Sequence, residues 1–144
     1  MKSIYLFGTG IFAVNCLEAL KKKWPVRLAV TLPGDDLAAC AKENRIPCEI
    51  IRTKKQLLEL GIDDPGGLLI TVNFKYLIPP SLLQPINYRA VNLHSSLLPL
   101  YKGFSPVSWA IINGERAIGV TAHFIDDTVD GGNIITQRSF AFSH

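Results

Sequence analysis

The sequence lacks any apolar run approaching the roughly 20 residues that span a bilayer. Its N-terminal run of Ile4, Tyr5, Leu6 and Phe7 meets Gly8 at once, so neither a signal peptide nor a membrane anchor is expected. Cysteine is scarce: Cys16, Cys40 and Cys48 are odd in number and form no C-x-x-C pair. That pattern excludes a disulfide framework and a zinc knuckle, and makes a reducing, cytoplasmic home the expectation. Charge of either sign is in small excess, 15 Lys+Arg against 12 Asp+Glu, a formal +3. The one basic run, Lys21 to Lys23, follows a helical apolar pattern and reads as cations at a helix C-terminus, so a polyanion partner is not indicated. Repeats, linkers and low-complexity stretches are missing as well. What is present is 144 residues, 48% of them hydrophobic, enough for one domain with its own core and too apolar for disorder.

Short apolar runs alternate with helical spacing along the chain. Residues 4–7 read as a strand closed by Gly8-Thr9-Gly10, with Phe12, Cys16, Leu17 and Leu20 on a following helix. Strands are expected at 26–31, 48–51 and 67–72, with helices at 36–44, capped by Asp35, and after Thr53. Leu82 and Leu83 fall in a short helix. Nearly continuous apolar strands alternating with helices indicate a parallel sheet covered on both faces, the doubly wound, Rossmann-like α/β class. A fifth strand over 88–94 feeds residues 95–104, a Leu-, Pro- and Gly-rich connection whose length marks it as functional. A helix over 106–113 capped by Ser105, a strand over 118–125, a polar turn over 126–132 and a last strand over 133–138 complete the pattern.

Gly8-Thr9-Gly10-Ile11-Phe12-Ala13 matches the G-x-G-x-x-A dinucleotide fingerprint. The second strand, however, ends Val30-Thr31-Leu32-Pro33 with no acidic residue for a ribose, and Asp35 lies beyond the turn. Such glycines also serve to start a helix close to a sheet. Asp126-Asp127-Thr128-Val129-Asp130 has D-D-x-x-D spacing, but between a strand and Gly131-Gly132 it is a turn, and no metal is expected there. Asn92 and His94, two apart on a strand, project from one face at the strand's C-terminal end, where open α/β sheets place their sites. Ser95 and Ser96 lack the G-x-S-x-G elbow of a serine nucleophile.

The run Asn92-Leu93-His94-Ser95-Ser96-Leu97-Leu98-Pro99 resembles the N-x-H-x-S-L-L-P motif of 10-formyltetrahydrofolate-dependent formyltransferases. Gly119-Val120-Thr121 and Asp130-Gly131-Gly132 resemble a second motif of that family, with His94 and Asp130 36 positions apart. The resemblance, which covers nearly the whole chain, implies the formyltransferase fold and a single catalytic domain over residues 1–144. It implies Asn92, His94 and Asp130 as the catalytic trio: an amide and a protonated imidazole donating to a developing oxyanion, with the carboxylate holding the imidazole and passing the amine's proton through water. Thr121 is expected to order water or Asp130, and His123 to support the site from the same face. The resemblance places the pterin of the formyl donor between Phe74, Tyr76, Leu77 and Ile78 on one side and Ile125, Asp126 and Asp127 on the other, without a metal.

Two departures shape the remaining expectations. Family members acting on methionyl-tRNA carry a long basic insertion after the second strand, whereas Pro33-Gly34-Asp35-Asp36 here leads almost directly into the next helix. A small-molecule amine, such as a nucleotide-linked amino sugar, is therefore the expected acceptor, with methionyl-tRNA as the alternative. Family catalytic domains also continue beyond the D-x-G turn for longer than this chain does. Phe140 and Phe142 are accordingly expected to be exposed or covered by another subunit, giving either a homo-oligomer through the C-terminal region or a fragment of a longer enzyme with weak activity. A reading from another class is a non-catalytic folate- or nucleotide-binding remnant.

Overall fold

A computed structural model describes residues 3–141. The chain divides into two compact units, Met1–Ala90 and Val91–His144.

The first unit runs β1 (Ile4–Gly8), α1 (Gly10–Leu20), β2 (Val26–Thr31), α2 (Asp36–Glu43), β3 (Cys48–Ile50), α3 (Lys54–Glu59), β4 (Leu68–Val72) and α4 (Pro80–Leu83), then a 3-10 turn over Gln84–Ile86. Its strands pair in parallel in the order β3-β2-β1-β4. Every residue of β1 is buried, which is why its sequence is a continuous apolar run rather than an alternation. The helix starts follow local chemistry. Asp35 Oδ1 accepts from the Leu37 N–H (2.9 Å) at the start of α2, as expected. At α3, Thr53 and Gln56 form a capping box.

The glycine turn before α1 is structural. A Cβ on Gly8 would lie 2.7 Å from the Ala13 Cβ and 2.8 Å from the Val72 carbonyl oxygen, and Gly10 has φ +72°. The Gly10 N–H donates to Asp35 Oδ2 at 2.8 Å. One carboxylate thus serves the first turns of two helices, and it occupies the amide that a dinucleotide pyrophosphate would use.

The second unit contains nearly all of β5 (Ala90–His94), with α5 (Pro106–Ile112), β6 (Ala117–Phe124) and β7 (Ile134–Ala141). Its strands are antiparallel, β5 to β6 and β6 to β7. Three expectations shift here. β5 starts at Ala90 rather than at residue 88 because Asn87 and Tyr88 both take left-handed conformations (φ +54° and +56°), which no strand accommodates. Ser105 does precede α5, but at φ +52° its side chain makes no capping bond; a capping side chain needs extended backbone to reach the helix amides. β7 runs three residues further than its pattern suggests because it pairs with β6 as far as Ala117–Ala141. All its residues are exposed, Phe140 at 54%. Phe142 lies outside the described residues. Among the described residues no helix is long and apolar enough to cross a membrane.

Candidate active site

The site is built on one face of the antiparallel ladder. Asn92 pairs with His123 and His94 with Thr121 across β5 and β6, and Thr121 pairs with Gln137 across β6 and β7. Directly paired residues present their side chains to the same face, so these five polar groups share it. Asp130 reaches them from the turn after β6, in a left-handed conformation (φ +49°) that a short polar side chain tolerates. The turn lies tight against its own strand: a Cβ on Gly132 would run into the Phe124 carbonyl.

Asp130 is the hub. Its Oδ1 accepts from the Asn92 amide at 3.1 Å and lies 3.5 Å from His123 Nε2. Its Oδ2 accepts from the Gly103 N–H at 2.8 Å and lies 3.5 Å from His94 Nδ1. Both histidines are buried. Their protons follow from their partners, since a carbonyl only accepts. His94 Nε2–H donates to the Tyr101 carbonyl (2.8 Å), leaving Nδ1 to face the carboxylate. An imidazolium satisfies both neighbours of His94; a neutral ring would turn a lone pair toward Oδ2. His123 Nδ1–H donates to the Phe124 carbonyl (2.9 Å), so its Nε2 accepts from the Asn92 amide (3.1 Å).

The structure therefore brings Asn92, His94, Asp130 and His123 together. Thr121 is buried beside them, but its role differs from the expected one. Its hydroxyl donates to the Ser96 carbonyl (2.7 Å) and accepts from the Leu98 N–H (3.1 Å) and from Gln137 Nε2 (2.9 Å). One donor and two lone pairs are then fully committed to the loop 95–104 and to β7, with no capacity left to order water or Asp130.

The residues expected to hold the donor are divided between the units. In the first, the Phe74 ring stands edge-on to Phe7 (5.5 Å) and Tyr76 (6.0 Å), Leu77 is 70% exposed and Ile78 is half-buried. In the second, Ile125 is half-buried while Asp126 and Asp127 are exposed. Asp126 Oδ1 accepts from the Thr128 hydroxyl (2.6 Å) and N–H (2.8 Å), and these bonds hold its carboxyl below the usual range. Asp126 is thus committed to its own turn. Among the described residues no cluster of three or more His, Cys, Asp or Glu side chains could hold a metal ion.

Three participants were not foreseen: the Tyr101 carbonyl, the Gly103 N–H and the Gln137 side chain. The first two are backbone groups, which carry no residue signature. Gln137 had a weak one, a lone amide on an otherwise unremarkable edge strand.

A family model described as formyl transferase matches residues 1–143. The chain belongs to the formyl transferase family. A methionyl-tRNA formyltransferase of Listeria welshimeri is 34% identical, over 96% of this chain and 48% of that protein. The chain spans about half the length of the curated relatives it matches. Among solved structures, the phosphoribosylglycinamide formyltransferase of Bacillus halodurans superposes with TM-score 0.78 at 27% identity, over 99% of this chain and 81% of that one. An N-formyltransferase of Helicobacter canadensis, solved with folinic acid and dTDP-3-aminofucose, gives 0.73 at 27% identity, over 99% of this chain and 54% of that one. The α/β formyltransferase fold expected from the sequence is therefore the fold observed, parallel in the first unit and antiparallel in the second.

Proposed function

We propose that this chain carries the catalytic domain of an enzyme that transfers a formyl group from 10-formyltetrahydrofolate to a primary amine of a small molecule. The observation that carries the proposal is the convergence of Asn92, His94 and His123 on the Asp130 carboxylate. In the transfer, a bond forms between the acceptor nitrogen and the formyl carbon, the bond from that carbon to the folate nitrogen breaks, and one proton passes from acceptor nitrogen to folate nitrogen. Asn92 and the His94 imidazolium supply hydrogen bonds to the formyl oxygen as negative charge develops on it, a type of contribution worth a few kcal/mol per donor. Asp130 holds the His94 ring in place and relays the departing proton through water. Asn92 donates to Asp130 and His123, and His94 to Tyr101, within the protein. Engaging the formyl oxygen therefore requires an exchange of partners, not new groups.

The donor is assigned to Phe74, Tyr76, Leu77 and Ile78 in the first unit and to Ile125, Asp126 and Asp127 in the second, each set on its family position. The Helicobacter canadensis relative's complex with folinic acid supports a folate at this fold. For the acceptor, the four residues between β2 and α2 leave no room for a basic tRNA-binding insertion, which favours a small amine. The methionyl-tRNA formyltransferases among the relatives support the other acceptor. Incubating the protein and 10-formyltetrahydrofolate with a panel of amino sugars, aminoribonucleotides and charged initiator tRNA tests both. Formylation of a small amine supports the proposal, of tRNA alone the alternative, and of nothing the remnant reading. Folate affinity unchanged by EDTA is expected throughout. Self-association through exposed β7 is proposed as well, and sedimentation at micromolar concentration tests it.

A further inference from the structure

The loop 95–104 carries the carbonyl and the amide that hold the His94–Asp130 pair, yet it has no regular structure of its own. At Tyr101 it is anchored by hydroxyl bonds with Glu115 (2.7 Å) and Asn113 (3.1 Å), and its first half is fixed by one rung of the ladder, His94–Thr121–Gln137, which crosses three strands. Gln137 stands at the far end of that rung, on a strand whose residues are all exposed. Both N–H bonds of its amide are used. One goes to the Leu98 carbonyl (2.8 Å), the other to the Thr121 hydroxyl (2.9 Å). Thr121 in turn takes the Leu98 N–H and gives its proton to the Ser96 carbonyl. Leu98 is thus held by both of its backbone polar groups. A Ser96 hydroxyl bond to the Leu100 carbonyl (2.6 Å) and a Leu100 N–H bond to the Leu97 carbonyl (3.1 Å) extend the order to the next residues. Tyr101 and Gly103 follow directly, and they meet His94 Nε2 and Asp130 Oδ2.

We propose that Gln137 is a positioning residue: by tying the Leu98 carbonyl to the Thr121 hydroxyl it sets the loop so that the Tyr101 carbonyl fixes the proton on His94 Nε2. The side chain's hydrogen bonds go to Leu98 and Thr121, not to His94 or Asp130. Its effect is transmitted through the loop backbone, and it accounts for an amide with both donors committed on an exposed edge strand. Glutamate at this position has the length but no donor, and its charge would face the Leu98 carbonyl. Methionine has the length and neither donor nor charge.

The inference rests on the proposed formyl transfer for its consequence in rate, but not for its structural test. That test is the 15N and 1H spectrum of the His94 imidazole, together with the kinetics, in Gln137→Met and Gln137→Glu. In both variants the Nε2-bound proton is expected to lose its hydrogen-bonded shift. Turnover is expected to fall about tenfold, the scale of a small misplacement of catalytic groups, with KM for the folate donor within about twofold of wild type. His94 signals unchanged in folded Q137M or Q137E would overturn the inference, as would a rise in KM with turnover intact. Should one variant fail to fold, the other decides. Should the wild-type protein transfer no formyl group, the imidazole spectrum alone decides: a changed spectrum upholds Gln137 as a positioning residue while the functional reading falls.

Discussion

In the first unit the large, fully buried side chains are apolar: Phe7, Leu6, Leu17, Leu37, Leu57, Leu69, Leu82, Ile86 and Val30, with Thr31 the exception. In the second unit the corresponding position is held by Thr121, a hydroxyl with every hydrogen-bonding valence committed. Polar side chains also have different work in the two. Asp35, Thr53 and Gln56 close helix ends in the first unit. In the second, Asn92, His94, His123 and Asp130 meet one another. The first unit thus gains its stability mainly from removing apolar surface from water, with polar side chains confined to helix ends. The second holds its geometry by satisfied polar groups, where a single deletion leaves a buried partner unpaired.

That contrast predicts opposite sensitivities. The largest effect is expected for His94→Ala, which should lower kcat by at least about 100-fold while folate affinity, measured by titration, changes little. A parallel fall in affinity would show that the cluster binds rather than reacts. Next is Leu69→Ala in β4, fully buried, which should cost about 3 kcal/mol in denaturant unfolding. Ile135→Ala on exposed β7 should stay within about 0.5 kcal/mol. Equal costs at the two positions would erase the distinction between the units.

Asp35→Ala comes third, removing bonds to the first turns of both α1 and α2, at about 1–2 kcal/mol in the same unfolding experiment. Asp35→Ser keeps a cap on α2 and should recover part of that loss. The smallest effect concerns the thiols. Burial pushes Cys16 up to about 11 and is also the main cause raising Cys40 and Cys48. The reactive thiolate is therefore rare at neutral pH and grows as pH rises. Alkylation of Cys16 at pH 7.5 should run at least about tenfold slower than for a free thiol, and that of Cys40 and Cys48 should also be slowed. A rapidly labelled cysteine would contradict the assignment of these groups to packing.

The first unit was the more legible of the two because its signals are local. Asp35 before a helical pattern and Thr53 three positions before Gln56 are caps that can be read in sequence order. What could not be read there was the reach of Asp35 back to Gly10, since 25 positions separate the carboxylate from that amide. In the second unit the motif residues announced Asn92, His94 and Asp130, and two-residue spacing put His123 on the face of Thr121. The support behind them was hidden. Tyr101 and Gly103 act through backbone groups that any residue has, and Gln137 acts through strand pairing with Thr121 that only the folded register reveals. The Thr121 bonds are hidden for the same reason: a β-branched hydroxyl on a strand tells nothing of which carbonyl lies above it. The left-handed Tyr88 and Ser105 likewise left no mark in a pattern of apolar positions.

The central claim is that Asp130 organises a formyl-transfer site, and the most direct test is the single-turnover transfer rate of Asp130→Asn at saturating 10-formyltetrahydrofolate, using the acceptor that the panel selects. The amide keeps the size and can still accept from Gly103, but it lacks the carboxylate charge that faces His94 and cannot carry the departing proton. The rate should fall by at least about 100-fold with donor affinity unchanged. A variant that transfers the formyl group at the wild-type rate would contradict the account.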